Sequence, residues 1–194
     1  MRFLFVTTLC FAALACGTSV YGQVVEPKEL FIVSEKSLYG YIDKTGKTII
    51  PLQFTEAWDF SEGLALVRPG GGAPRVYIDK TGQIIIKAQE GIDYLSPFSE
   101  GLAVVHINGK YGYMDRTGQV VIKPQFDVAF AYSEGMARVK DDVKWSFIDK
   151  SGRMITEAIF DQANDFSGGL ARVVLGNKQG YIDKTGKYVW KPTK

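Results

Sequence analysis

Apolar residues recur along this chain in short β-branched or aromatic runs, each closed by a glycine turn or a proline. Leu102–Val105, Tyr111–Asp115 and Gln119–Ile122 are typical, and they predict three strands with a meander connection. In the first strand of each set the side chains alternate. Ala65 and Val67, Ala103 and Val105, Ala137 and Val139, Ala171 and Val173 share one face, apolar every time, which predicts a core face. The alternate position reads Ile32, Leu66, Val104, Arg138, Arg172, drifting from apolar to charged, and is expected to be partly exposed. No long helix is supported.

Between the second and third strands the chain repeats one turn five times: Asp43-Lys-Thr-Gly46, Asp79-Lys-Thr-Gly82, Asp115-Arg-Thr-Gly118, Asp149-Lys-Ser-Gly152 and Asp183-Lys-Thr-Gly186. Asp at the first position accepts N–H bonds from the residues that follow, and Gly at the fourth takes positive φ without steric cost. The product is a tight hairpin with a bulge. The aromatics before these turns, Tyr41, Tyr77, Tyr113, Phe147 and Tyr181, are spaced by 36, 36, 34 and 34 residues.

A second block recurs between the turns: Phe60-Ser-Glu-Gly-Leu-Ala65, Phe98-Ser-Glu-Gly-Leu-Ala103, Tyr132-Ser-Glu-Gly-Met-Ala137 and Phe166-Ser-Gly-Gly-Leu-Ala171. It sets the phase, with units starting at Leu30, Leu64, Leu102, Met136 and Leu170. A return segment such as Pro124–Gly135 links one unit to the next. Its aromatics, Phe54, Phe126 and Phe160, are read as plugs that bury it, with room for at most a one-turn helix. A lone unit cannot bury its own face, so stability must come from stacking neighbours. The expected fold is all-β: a tandem array of five three-stranded antiparallel meanders of about 34–38 residues, solenoid-like or propeller-like.

Met1-Arg2 precedes an apolar run from Phe3 to Ala15, too short to span a bilayer and shaped like a secretory signal. Two processing sites compete. Val20-Tyr21-Gly22 before Gln23 suits ordinary cleavage of residues 1–22. Ala13-Leu14-Ala15-Cys16 looks like a lipobox that would remove residues 1–15 and lipidate Cys16, although Ala13 stands where Leu is preferred. Either way the protein is expected to be exported, with residues 23–194 as one repeat domain and no transmembrane segment.

Both cysteines, Cys10 and Cys16, fall in this leader, so the remainder has no thiol chemistry. His106 is the only histidine, and it reads as a loop residue just past a strand end. These counts remove most zinc sites and His-dependent catalysis, and no cofactor is expected. Without Arg2, 22 basic residues face 21 acidic ones, interspersed, which is no electrostatic footprint for nucleic acid or anionic membrane.

The recurring elements together resemble the bacterial WG-repeat family, whose unit joins an aromatic-Gly pair, an aromatic-Ile-Asp, the glycine turn, a proline, an aromatic and a Phe-Ser-Glu-Gly-Leu-Ala-like block. The resemblance runs from Leu30 to Pro192. The aromatic-Gly pair survives as Tyr39-Gly40 and Tyr111-Gly112, against Arg75-Val76, Trp145-Ser146 and Gln179-Gly180. Proline gives way to Ala88 and Glu157, and the block glutamate to Gly168. The resemblance implies an envelope or surface role and transfers no catalytic residue.

Three other patterns are weighed against plainer readings. Asp-Lys-Thr-Gly also marks the phosphorylated aspartate of P-type ATPases, but five copies between short strands make a hairpin turn. Glu62, Glu100 and Glu134 offer repeated carboxylates, which read as caps on the return segments, because a catalytic pair breaks repeat symmetry. The loop Arg68-Pro-Gly-Gly-Gly-Ala-Pro-Arg75 makes the segment Leu66–Arg75 two residues longer than its counterpart Val104–Tyr111. Its N–H groups between two arginines would suit an anion, and the plainer reading is a flexible insertion.

Trp58, Trp145 and Trp190 are candidates for stacking on sugars or for packing between units. Arg68, Arg75, Arg138, Trp145 and Arg172 are the candidate binding residues, on or near loops that vary while the turns do not. The expected role is a non-catalytic module contacting an envelope or extracellular protein, with a glycan as the alternative. Self-association through terminal strands is a further expectation.

Overall fold

The computed structural model describes residues 29–157 and 159–191. The leader, both processing sites and Cys16 lie outside the described residues. All regular structure described is β, and among the described residues no helix is long and apolar enough to cross a membrane. Unit one holds β1 (Leu30–Glu35), β2 (Leu38–Asp43) and β3 (Thr48–Ala57). Unit two holds β4 (Ala65–Pro69), β5 (Val76–Ile78) and β6 (Ile84–Lys87). Then come β7 (Ile92–Leu95), β8 (Leu102–Ile107), β9 (Lys110–Asp115) and β10 (Val120–Phe126). The fourth unit has β11 (Val128–Ala129), β12 (Met136–Asp141) and β13 (Lys144–Asp149), and the fifth has β14 (Gln162–Ala163), β15 (Leu170–Leu175), β16 (Lys178–Asp183) and β17 (Tyr188–Trp190).

Units one, two, three and five are the expected antiparallel meander; in the fourth the third strand is reduced to isolated bridges, Ile148 with Met154 and Trp145 with Phe160. Each return segment does more than plug a gap. It adds a short fourth strand to the sheet of the next unit: Ala57 pairs Val67, Leu95 pairs Val105, Ala129 pairs Val139 and Ala163 pairs Val173. The physical reason is that the first strand of each meander otherwise exposes unpaired N–H and C=O groups along one edge. In β3 the third strand and the return strand are continuous, so the first six strands form one sheet. His106 lies inside β8 rather than in a loop, paired with Asp93.

The turns form as their chemistry dictates. Oδ1 of the leading Asp accepts N–H bonds from the third and fifth residues, as from Thr117 at 2.8 Å and Gln119 at 3.2 Å onto Asp115. The glycines Gly46, Gly82, Gly118, Gly152 and Gly186 sit at φ 81–87°. The Ser151 hydroxyl, joined by Arg153 and two N–H groups, draws the Asp149 carboxyl down to about 2.

The units stack face to face, and each joint holds one core. The residues Ala, Val and Ile or Met of one unit pack on the Leu, Tyr and Ile of the unit before, as Ala103, Val105 and Met114 pack on Leu66, Tyr77 and Ile86. The alternate strand position was expected to be partly exposed throughout. Instead Leu66 and Val104 are buried, because a following unit covers that face. Both faces of an internal blade are core, and only one face was legible as such from alternation.

The aromatic before each turn is the centre of each joint. Tyr41, Tyr77, Tyr113 and Phe147 lie under Phe60, Phe98, Tyr132 and Phe166 of the next block, with ring centroids 4.7–5.0 Å apart. The tyrosine hydroxyls donate to Trp58 O, Ser96 O and Phe130 O. Burial pushes all three phenols well above the usual tyrosine range.

Candidate functional site

The repeated carboxylates fasten one unit to the next. Glu62 accepts the Gly101 N–H at 3.0 Å, Glu100 that of Gly135 at 2.8 Å, and Glu134 those of Gly168 at 2.6 Å and Gly169 at 2.8 Å. The second residue of a turn adds a cation: Arg116 to Glu62 at 3.4 Å, Lys150 to Glu100 and Lys184 to Glu134, both at 3.3 Å. Ser61, Ser99 and Ser133 donate to the carbonyls of Phe98, Tyr132 and Phe166. Gly168 breaks the pattern in the last block, where no described unit follows.

Hydrogen bonding from Gly169, with Gly168 and Lys184, holds the Glu134 carboxyl below its ordinary 4.5, against a smaller opposing effect of burial. A depressed carboxyl stabilises the fold above its ordinary value, and that contribution is lost as pH falls through the folded value. The melting temperature is therefore expected to fall between about pH 5 and pH 3, and less steeply in Glu134→Gln. Equal slopes for the two proteins would remove Glu134 from the fastening.

The two arginines of the long loop converge on Glu56 of β3. Arg75 bonds Glu56 Oε2 through Nε at 2.8 Å, and Arg68 Nε lies 3.0 Å from Oε1, an ion pair whose N–H is not aligned for a hydrogen bond. Burial works to raise the Glu56 carboxyl, but Arg75 and Arg68 hold it below its ordinary value. Glu56 of β3 thus supplies the counter-ion, which removes the support for an anion between the two arginines. The Arg75 guanidinium lies 5.0 Å from the Trp58 ring centroid and 6.0 Å from that of Tyr94. Beside them is a cavity of about 250 Å³ lined by Pro74, Asp93 and Tyr94 together with Arg68 and Arg75.

Arg138 and Trp145 come together in the fourth unit. The Arg138 guanidinium is 3.7 Å from the Phe130 centroid and 5.4 Å from that of Trp145. Its Nε donates to Asp165 at 2.6 Å and its Nη1 to Ala163 O at 2.9 Å. Between the two clusters, Tyr111 packs 6.2 Å from Tyr94 and 4.4 Å from His106. In the fifth unit Arg172 bonds Gln179 through Nε and Nη2.

These groups occupy equivalent places in the repeat. Trp58 and Phe130 each stand two residues before a block aromatic; Arg75, Tyr111, Trp145 and Gln179 each stand two before the joint aromatic. They therefore line one edge of the array, along the first-to-second-strand loops. Sequence reasoning missed Glu56, Tyr94, Phe130 and Asp165. An aromatic at the Trp58 and Phe130 position, against Ser96 and Asn164 elsewhere, was the one signal available.

Residues 39–71, 77–111, 111–145 and 145–178 each match the WG containing repeat. No curated protein matches the sequence. Among solved structures the chain is similar to Hsv2 of Kluyveromyces lactis (TM-score 0.52, 11% identity, 84% of this chain and 60% of that one). It is also similar to Hsv2 of Kluyveromyces marxianus (TM-score 0.54, 10% identity, 83% and 57%). The chain spans less than two thirds of either, and at such identity the likeness shows the fold alone, a β-propeller-like stack of repeats. With four repeats matched across most of its described length, the chain belongs to the WG containing repeat family.

Proposed function

We propose that this protein is an exported, non-catalytic module that binds another protein in the bacterial envelope or outside the cell. The observation that carries the reading is the strip of arginines stacked on aromatic rings: Arg75 on Trp58 and Tyr94, Arg138 on Phe130 and Trp145. Arg, Trp and Tyr dominate binding hot spots, because a planar cation and a stiff ring present large contact area at small entropy cost. Glu56 and Asp165 already balance these guanidinia, so the strip offers flat, rigid faces rather than a concentrated charge. Non-catalysis is supported by the fastening role of Glu62, Glu100 and Glu134, and export by the leader.

The cavity beside Tyr94 and Arg75 favours a second reading, in which the strip stacks on a glycan. The processed chain, immobilised and offered envelope proteins and envelope glycans in parallel, separates the two. Retention of one protein, weakened about tenfold or more by Arg138→Ala or Arg75→Ala, is the expected result. Retention of glycan alone, lost in Tyr94→Ala, would overturn it.

A further inference from the structure

We propose that two copies of this chain join head to tail, the fifth unit of one stacking on the first unit of the other as consecutive units stack within the chain. This goes beyond the binding strip, because it uses the outer faces of the first and fifth units and leaves the loop edge free.

The internal joints provide the template. At each, the joint aromatic is fully buried, 0% exposed for Tyr41, Tyr77, Tyr113 and Phe147 alike. The third-strand residues Ile50, Ile86 and Ile122 lie against the turn glycines Gly82, Gly118 and Gly152 of the following unit. On the other side of the joint, Ala65, Ala103, Ala137 and Ala171 are at most 1% exposed.

The first and fifth units, the outermost among the described residues, each present half of such a joint. On the fifth unit the equivalents of the buried Tyr and Ile are Tyr181 and Trp190, exposed by 39% and 50%. On the first unit the equivalent of the buried alanine is Phe31, 42% exposed. Gly46 has no atom within 4 Å of where a Cβ would sit, whereas the later turn glycines abut the unit before them. A large apolar side chain replaces a smaller one on both end faces, Trp190 for Ile and Phe31 for Ala. One chain thus carries both complementary halves, which is the condition for a heterologous contact between identical copies. Uncovered aromatic faces of this kind mark association sites.

The fifth unit lacks the fastening carboxylate, since Gly168 stands where Glu134 stands in the fourth. The joint between copies is therefore weaker than an internal one, and reversible. Gly168 has φ +61° with open space around its Cβ, close to the φ 53° of Glu62, Glu100 and Glu134. A glutamate fits there, with Lys44 of the other copy, the equivalent of Arg116, Lys150 and Lys184, as its cation.

Sedimentation velocity of the processed chain, from low micromolar up to about 200 μM, tests this. Association that rises with concentration is expected, tightened about tenfold by Gly168→Glu. Trp190→Glu and Phe31→Glu should each weaken it about tenfold or more. Both residues are half-exposed, and circular dichroism verifies that each variant folds. An equimolar mixture of the two should recover a dimer and nothing larger, because each supplies the intact half the other lacks. Monomer at every concentration for both the natural chain and Gly168→Glu would overturn the proposal. So would either face variant associating like the natural chain, or a mixture that stays monomeric. Capture of an envelope protein by Trp190→Glu reports on the binding strip separately.

Discussion

Gly112→Ala is expected to destabilise the protein by about 3 kcal/mol or more, a fall of about 6–12 °C in melting temperature for a chain of this size. A Cβ on Gly112 would lie 2.7 Å from Pro124 N and 2.9 Å from Lys123 C, and closer still to Ile122 O. These are backbone atoms of β10, which cannot swing aside as a side-chain tip would. The register explains the crowding. Ile122 faces Tyr113, but the next pair on the strand is Phe126 with Tyr111, so extra residues of β10 bulge across the glycine. Unit one does the same, where Ile50 faces Tyr41, Phe54 faces Tyr39, and a Cβ on Gly40 would meet Ile50 O at 2.6 Å.

In unit two the pairs Tyr77 with Ile86 and Val76 with Lys87 run without that bulge, and a valine is accommodated. This accounts for a correlation inside the chain: Gly40, Gly112 and Gly180 occur in the units with Pro51, Pro124 and Pro192, while Val76 and Ser146 occur in those with Ala88 and Glu157. Gly70→Ala, with open space around it, is the control and should change stability by less than about 0.5 kcal/mol. A Gly112→Ala melting curve matching that of Gly70→Ala would refute the crossing as the reason for the glycine.

Tyr113→Ala should cost about 3–5 kcal/mol and divide the array in two. The ring is wholly buried at the third joint, 5.0 Å from Tyr132, and its hydroxyl donates to Phe130 O at 2.8 Å. Repeat arrays derive their cooperativity from nearest-neighbour joints. Without this ring, units one to three and units four and five are coupled weakly, and calorimetry should resolve two transitions for the variant and one for the natural chain. Tyr113→Phe should lose about 1 kcal/mol and keep a single transition, since Phe147 holds the fourth joint without a hydroxyl. A single transition for Tyr113→Ala, shifted by no more than that of Tyr113→Phe, would show that this ring does not hold the joint.

Some features of the site were in reach from the residues alone. Arg75, Arg138 and Trp145 are candidates because they lie on or near loops that vary while the turns do not, and there Arg75 meets Trp58 and Arg138 meets Trp145. The partners Glu56 and Tyr94 were not in reach, because they come from return segments whose pairing with the next unit is a long-range event with no local signal. Arg172 shares that loop edge but bonds Gln179 where Arg138 meets Trp145. The block glutamates were read as caps, and they are, but the N–H groups they cap belong to the next block rather than to their own.

What the sequence determined by itself is whatever depends on neighbours in the chain. The Asp-to-Gly hairpin turn, the five-fold phase, the meander and the apolar Ala/Val face follow from turn chemistry and strand alternation, which act over a few residues. Tertiary structure alone decided the rest: the fourth strand donated across each joint, the burial of Leu66 and Val104 on a second face, and the carboxylate fastenings from Glu62 to Gly101 and onward. It also revealed why Gly112 admits no side chain. Each of these joins residues 10 to 54 positions apart, and their contact depends on how one blade settles on the next. No local preference encodes that geometry, because it is set by the packing of whole faces.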